Sequence, residues 1–188
     1  MKIPIETSAR HIHLSEKDFV KLFGKNKKLE PIKKLSQPRE FASKETLTLI
    51  NEKNKIENVR VVGPLRKNSQ CEISLTDAYK LKLKPLPKIR ASGNLSGTTK
   101  IIAKNKNISI KIPIIIALRH LHCSTEQAKK LKIKNNKIIS VNVKGQREIT
   151  FHNIITRVSD NYKLALHVDT DEANAVGIQG KANGELVK

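Results

Sequence analysis

Two short segments of the sequence carry the same pair of histidines in the same setting. Residues 10–15 read Arg-His-Ile-His-Leu-Ser, and residues 119–124 read Arg-His-Leu-His-Cys-Ser. In an extended strand the two histidines of each pair point to one face, because successive side chains alternate between faces. Imidazole is a preferred ligand of zinc and related divalent metals, which need three or four ligands from a rigid frame. The repeated pair therefore points to metal chemistry.

Two further segments share this pattern and supply more candidate ligands. Four polar residues are each followed, three positions later, by Asp, Gln or Glu, which is the pattern of a helix N-cap with its capping box. Apolar or small residues at the fourth and seventh positions after each cap predict a short amphipathic helix. The caps are Ser15, Ser74, Ser124 and Asp169, and two positions before them stand His13, Glu72, His122 and His167. The chain therefore contains four strand-cap-helix repeats, each with a metal-ligating side chain in an equivalent place.

The elements that must position these ligands are mostly short strands. About eight short runs rich in β-branched residues are separated by clusters of Asn, Lys and Gly, and the helical patterns are few. Many short strands at close spacing favour a mainly β barrel or sandwich over a doubly wound sheet. The glycine-containing segment 93–97 lacks the lysine and the following helix of a phosphate-binding loop, so it is interpreted as a turn.

Charge and composition bound the classes of partner. The 188 residues include 37 Lys and Arg against 17 Asp and Glu, which suggests an anionic partner such as nucleic acid or a phosphorylated small molecule. Only eight of these cations are Arg, and aromatic residues make up 3% of the chain, whereas nucleic-acid readers use arginine and exposed aromatic side chains. Nucleic acid is therefore not expected as a partner, although a basic nucleic-acid or scaffold protein stays open as an alternative.

The sequence predicts a cytoplasmic protein without a membrane segment. The longest apolar run, residues 112–118, contains a proline and is far shorter than the roughly 18 residues of a membrane span. No apolar run of the secretory kind stands near the N-terminus. Two cysteines, Cys71 and Cys123, are too few for a disulfide framework and are interpreted as buried structural thiols.

Longer motifs resemble one known family, the PduL-type phosphotransacylases (phosphate propanoyltransferases), over nearly the whole chain. Besides the two histidine pairs, the matching segments are 36–38 (Ser-Gln-Pro), 41–46 (Phe-Ala-Ser-Lys-Glu-Thr), 60–67 (Arg-Val-Val-Gly-Pro-Leu-Arg-Lys), 70–74 (Gln-Cys-Glu-Ile-Ser) and 167–175 (His-Val-Asp-Thr-Asp-Glu-Ala-Asn-Ala). The resemblance implies two β-barrels capped by short α-helices. One would be a central barrel of residues 10–117, and the other would join residues 1–9 to residues 118–188.

The same resemblance implies a reaction and its metals. The reaction is the reversible conversion of short-chain acyl-CoA, propanoyl-CoA or acetyl-CoA, and phosphate to acyl phosphate and free coenzyme A. Two zinc ions would take part, and the first would keep a position open to the sulfur of coenzyme A. The implied ligands are His11, His13 and Glu72 for the first zinc, and His120, His122 and His167 for the second. Because zinc stabilises the charge that develops on the oxygen and the leaving thiolate, no protein nucleophile or covalent acyl-enzyme is required.

Substrate contacts follow from the matching motifs. Arg66 is predicted to bind phosphate, because its planar fork suits an anion with several oxygens better than a lysine would. The positions that the resemblance associates with coenzyme A are Ser8, Lys33, Arg60, His167 and Asn174. Arg10 and Arg119 precede the histidine pairs and alternate away from the ligand face, so they are expected to form supporting ion pairs.

Several expectations concern the setting of the enzyme. Family members packaged in bacterial microcompartments often carry an N-terminal amphipathic extension, and only seven residues precede Ser8 here, so a free cytoplasmic enzyme is expected. A homo-oligomer and functional coupling to an acetate or propionate kinase are also expected. The alternative within metal chemistry is a zinc hydrolase that uses bound water on a thioester.

Overall fold

Fourteen strands and four short helices make up the part of the chain that the structure, a computed structural model, describes: residues 1–178, 180 and 182–187. The strands are β1 (Ile3–Ser8), β2 (His11–His13), β3 (Pro31–Lys34), β4 (Phe41–Asn51), β5 (Asn54–Gly63), β6 (Gln70–Ile73), β7 (Ile89–Arg90), β8 (Lys100–Asn105), β9 (Ile108–Ala117), β10 (His120–Cys123), β11 (Ile138–Val143), β12 (Ile149–Val158), β13 (Ala165–Asp169) and β14 (Ala182–Leu186). The helices are α1 (Glu16–Phe23), α2 (Leu75–Lys80), α3 (Thr125–Leu131) and α4 (Thr170–Val176). None of these four helices has the length and apolar character needed to cross a membrane.

Each helix begins at the residue that the sequence predicts as its N-cap. The side chain of every cap accepts a hydrogen bond from the backbone N–H three residues later. In α2, α3 and α4 the reciprocal bond completes a capping box, whereas in α1 the carboxylate of Asp18 accepts from the hydroxyl of Ser69 at 2.5 Å. Such caps contribute about 1 kcal/mol each and fix where the strand ends and the helix begins.

Residues 10–35 and 39–117 form one compact unit. We call it the mixed-triad unit, because it contains the candidate ligands His11, His13 and Glu72. Six of its strands pair in a closed ring in the order β4, β5, β2, β6, β9, β8 and back to β4. β3 and β7 pair with β4 and β9 outside this ring. Every strand of the ring contributes to the core, for example Ile12, Leu49, Val61, Ile73 and Ile101. Each such side chain contributes about 1.5–3 kcal/mol when it is fully buried.

Residues 1–9, 36–38 and 118–188 form the second compact unit. We call it the all-histidine unit, because its candidate ligands are His120, His122 and His167. Its six strands close in the order β1, β13, β10, β12, β11, β14 and back to β1. The short segment 36–38 belongs to this unit because the buried Gln37 side chain donates to the carbonyl oxygen of Lys163 at 2.9 Å and accepts from its N–H at 3.2 Å. The core includes Ile3, Leu121 and Leu166, all completely buried. The predicted mainly β fold with two helix-capped barrels is confirmed.

The two rings follow the same pairing pattern around their histidine strands. β2 lies parallel to β5 and antiparallel to β6, and β10 lies parallel to β12 and antiparallel to β13. In each ring a helix follows both members of the antiparallel pair. The strand-cap-helix repeats of the sequence therefore correspond to equivalent elements of the two barrels.

β14 is a strand that the sequence pattern misses, because residues 182–186 contain no β-branched side chain. The packing leaves no room for a side chain at Gly184. A Cβ atom there would lie 2.4 Å from Val141 Cγ1 and 3.0 Å from the carbonyl oxygen of Asn142. We expect Gly184→Ala to lower the free energy of unfolding by about 1–3 kcal/mol, the usual cost of overpacking a core. Urea denaturation measures this loss.

The matched control is Asn183→Ala, which changes the exposed neighbour in the same strand. Its expected effect is within about 0.5 kcal/mol, as for other surface substitutions. Equal denaturation midpoints for Gly184→Ala and the parent chain would show that β14 moves to make room, and would contradict the tight packing.

Candidate metal centres and phosphate site

The mixed triad, His11, His13 and Glu72, is assembled by one antiparallel strand pair. β2 carries both histidines, and His11 lies directly opposite Glu72 of β6. The Nε2 atoms of the two histidines are 3.1 Å apart, and each is 3.9 Å from an oxygen of the Glu72 carboxylate. Two nitrogens bound tetrahedrally at the usual zinc distance lie about 3.3 Å apart, so the spacing fits a common metal ion.

His13 is held in the ring orientation that ligation requires. Its Nδ1 lies 3.1 Å from the carbonyl oxygen of Val62, where the Nδ1–H donates and Nε2 keeps its lone pair toward Glu72. Burial lowers the pKa of His13 well below its ordinary value, and electrostatic interactions with His11 and Arg66 lower it further. The imidazole is therefore neutral, which is the form that binds metals.

A loop after β7 holds the carboxylate of Glu72. The hydroxyl of Ser92 donates to Glu72 Oε1 at 2.7 Å and accepts from Gln70 Nε2 at 2.7 Å. The Gln70 amide also contacts Glu72 Oε1, and its own oxygen accepts from the N–H of Gly93 at 3.0 Å. Sequence reasoning missed Ser92, since its only signal is a polar residue beside the segment interpreted as a turn.

The structure places Arg66 beside the mixed triad. Its backbone N–H donates to the carbonyl oxygen of Leu14 at 2.8 Å, directly after the histidine strand. Its guanidinium donates to Glu40 Oε1 at 3.1 Å and to Ser92 Oγ at 3.2 Å, and one third of the side chain is exposed. An accessible planar cation next to a metal-ligating set is a candidate phosphate site, and an anion bound there would compete with Glu40.

The all-histidine triad, His120, His122 and His167, repeats the arrangement in the other unit. His120 of β10 lies opposite His167 of β13, and one ligand atom from each of the three side chains falls within 4.8 Å of the others. His120 Nδ1 lies 3.0 Å from the carbonyl oxygen of Leu118, where its N–H donates. Tyr162 stacks on His122 with ring centroids 4.1 Å apart, and a Glu6 oxygen lies 3.8 Å from His167 Nδ1.

The two triads differ in their neighbouring cation. The N–H of Ser159 donates to the carbonyl oxygen of Cys123 at 3.1 Å, which is the bond that Arg66 makes to Leu14 in the mixed-triad unit. The all-histidine unit thus has a serine at the position equivalent to Arg66. The Arg66 site is therefore a feature of the mixed-triad unit, whereas a cation near the all-histidine triad is Arg157, whose guanidinium lies 5.8 Å from the centroid of the Tyr162 ring.

The residues predicted to contact coenzyme A are divided between the units. Ser8 ends β1 opposite Asp169, and Asn174 is exposed on α4 of the same unit. Lys33 is exposed on β3, and the Arg60 guanidinium donates to the carbonyl oxygens of Ser43 and Lys44 at 3.1 and 3.0 Å. Their contacts with coenzyme A stay a prediction.

Both donor sets suit zinc. Imidazole nitrogen and carboxylate oxygen are its usual ligands, and three protein ligands leave a position for a substrate or water, as in catalytic zinc sites. Backbone carbonyls fix one ring in each triad, which is the support that metal-binding histidines ordinarily have. In the mixed-triad unit, a metal ion held by these residues would provide an electrophilic centre next to the candidate phosphate site at Arg66.

Nearly the whole sequence is similar to those of known proteins. The sequence pattern of the phosphate propanoyltransferase family matches residues 4–179. A phosphate propanoyltransferase of Thermotoga maritima is 43% identical over 188 residues, which cover 98% of this chain and 87% of that protein. Those of Levilactobacillus brevis (42% over 190 residues, 100% and 89%) and Sebaldella termitidis (40% over 186 residues, 98% and 87%) are similarly related. The chain therefore belongs to the phosphate propanoyltransferase family and is an acyltransferase.

Proposed function

We propose that this enzyme converts propanoyl-CoA or acetyl-CoA and phosphate to acyl phosphate and coenzyme A, with zinc and without a covalent acyl-enzyme. The observation that carries the proposal is the position of Arg66, whose backbone is bonded next to the His13 strand and whose guanidinium shares Ser92 with Glu72. A phosphate-binding cation and a metal-ligating triad are thus connected through one hydroxyl. Family membership supports acyl transfer to phosphate.

In this mechanism the mixed triad would hold one zinc ion, which would supply a Lewis acid for the charge on the thioester oxygen and the leaving thiolate. Val62 orients the His13 ring, and Ser92 and Gln70 fix the carboxylate of Glu72. Arg66 binds phosphate with its planar fork and brings the attacking oxygen to the thioester carbonyl.

The thiols of the chain support direct attack by phosphate. Cys71 and Cys123 are completely buried, as predicted, and burial raises the pKa of both thiols above the ordinary value. A protonated, inaccessible thiol is a poor nucleophile, because the thiolate is the reactive form. Neither cysteine therefore suits the formation of an acyl-enzyme.

The remaining assignments rest on the resemblance and on the second triad. We assign a second zinc ion to His120, His122 and His167, since these rings converge as the first triad does. Coenzyme A would contact the five positions associated with it above. The division into domains at residues 9/10 and 117/118, the homo-oligomer, the cytoplasmic location and the coupling to an acetate or propionate kinase stay predictions.

The test is release of free coenzyme A from propanoyl-CoA and acetyl-CoA by the purified protein, with and without phosphate, together with metal analysis. We expect release that depends on phosphate, formation of acyl phosphate trapped as a hydroxamate, and about two zinc ions per chain, one for each donor set. Release that is independent of phosphate would instead show a thioester hydrolase. The absence of both release and bound metal would contradict the proposal and favour a binding role for the basic surface.

A further inference from the structure

The arginine before each histidine pair binds a carboxylate, as the alternation of side chains predicts. Arg10 Nε lies 2.8 Å from both oxygens of Asp77, and Arg10 Nη2 lies 2.8 Å from Oδ1. Arg119 Nε lies 2.7 Å from Glu172 Oε1. The Asp77 side chain is 2% exposed and that of Arg10 is 43% exposed, so the first pair joins a buried carboxylate to a cation that solvent partly screens.

Both carboxylates have a second task in their own helices. Asp77 and Glu172 are the third residues of α2 and α4, where they complete the capping boxes. Asp77 Oδ2 accepts from the N–H of Ser74 at 3.5 Å, and Glu172 Oε2 accepts from the N–H of Asp169 at 3.0 Å. Each carboxylate therefore joins the start of its helix to the arginine that directly precedes the neighbouring histidine strand.

The strands that are joined are the ones that carry the ligands. α2 directly follows β6, which holds Glu72, and Arg10 directly precedes the strand of His11 and His13. In the other unit, α4 follows β13 with His167, and Arg119 precedes β10. Each ion pair thus ties the two antiparallel strands of one triad together at the end where the histidine strand begins.

We propose that Arg10–Asp77 and Arg119–Glu172 are positioning pairs, each of which holds the ligand strands of its own triad at the separation that retains a metal ion. The inference rests on the proposed function, because it requires zinc in both triads. It assigns to the two arginines a role in metal retention that does not involve contact with substrate.

The test is the rate at which the zinc-loaded full chain gives up its metal to an excess of a chromogenic chelator. We expect Arg10→Gln to release one of its two zinc ions about 10-fold faster or more than the parent chain, as for other residues that support metal ligands. The second ion should leave at the parental rate. Arg119→Gln should accelerate the release of the other ion.

A loss of stability must be separated from a loss of positioning, since Arg10→Gln leaves a charged carboxylate buried. The double variant Arg10→Gln/Asp77→Asn removes both charges and keeps an oxygen that accepts from Ser74. Its thermal midpoint should recover toward that of the parent, whereas zinc release stays fast. The visible spectrum of the cobalt-substituted chain should change in both variants, because the ligand geometry changes.

Lys55→Gln and Lys130→Gln are the matched controls, as each removes one exposed ion pair from one unit. Parental release rates for Arg10→Gln, or fast release that disappears in the double variant, would overturn the positioning role. A parent chain that binds no zinc would instead contradict the proposed function.

Discussion

Glu72→Gln is expected to reduce turnover about 1,000-fold, since an activating metal supplies several kcal/mol of charge stabilisation in the transition state. The amide keeps an oxygen that can accept from Ser92 and nearly the same volume, but it lacks the negative charge of the third ligand. Steady-state release of coenzyme A measures the loss. Metal analysis should show about one zinc ion per chain instead of two, because one donor set is incomplete.

The control for this change is Glu57→Gln, which neutralises an exposed carboxylate on β5 of the same unit. It should retain parental turnover and metal content. Both proteins should have parental circular dichroism spectra, since the ring of strands is unaffected. Turnover of Glu72→Gln within a factor of about three of the parent would exclude the mixed triad as the catalytic centre, because a lost Lewis acid has a far larger effect.

Arg66→Ala is expected to raise the apparent KM for phosphate about 10- to 100-fold, because a charge-assisted hydrogen bond contributes about 1.5–3 kcal/mol. The KM for acyl-CoA and the zinc content should change little, since Glu72 and the histidines keep their positions. Initial rates at varied phosphate and saturating acyl-CoA measure the effect. Arg66→Lys should recover part of the affinity but not the bidentate geometry.

Lys111→Ala is a control with the same change of charge, on an exposed position of β9 in the same unit. If it raises the KM for phosphate as much as Arg66→Ala does, the long-range field of the basic surface attracts phosphate, and Arg66 is not its binding site. A strong dependence of both KM values on ionic strength would accompany that outcome, because salt screens long-range attraction.

Local patterns made much of the fold and of the ligand geometry predictable. A cap such as Ser74 needs only a partner three residues later, so the sequence alone contains the whole motif. His11 and His13 lie four and two positions before one cap, and Glu72 lies two positions before another, so the alternation of side chains places each candidate ligand on one face of its strand. The structure adds the antiparallel pairing of β2 with β6, which places His11 opposite Glu72 and brings the three ligand atoms together.

Contacts between residues distant in sequence were not predictable. Ser92 reaches Glu72 only because the loop after β7 folds back over β6, and no periodic pattern marks such a loop. Glu40 is one of several acidic residues, and its pairing with Arg66 depends on the register of β4 and β5, which places Phe41 opposite Gly63. Gln37 is likewise an ordinary polar residue in sequence, although it is buried against Lys163.

The pairing of β1 determines when the all-histidine barrel is able to form during synthesis. Ile5 lies beside Leu166 on one side and Ala182 on the other, so β1 lacks its neighbours until nearly the whole chain has left the ribosome. At about 5–20 residues per second this delay is roughly 10–30 seconds. The strands of the mixed-triad ring are all translated in the meantime. Ribosome-bound chains arrested with β9 outside the exit tunnel but with β13 and β14 still inside it or not yet made should therefore protect the first barrel from protease and leave β1 open to cleavage.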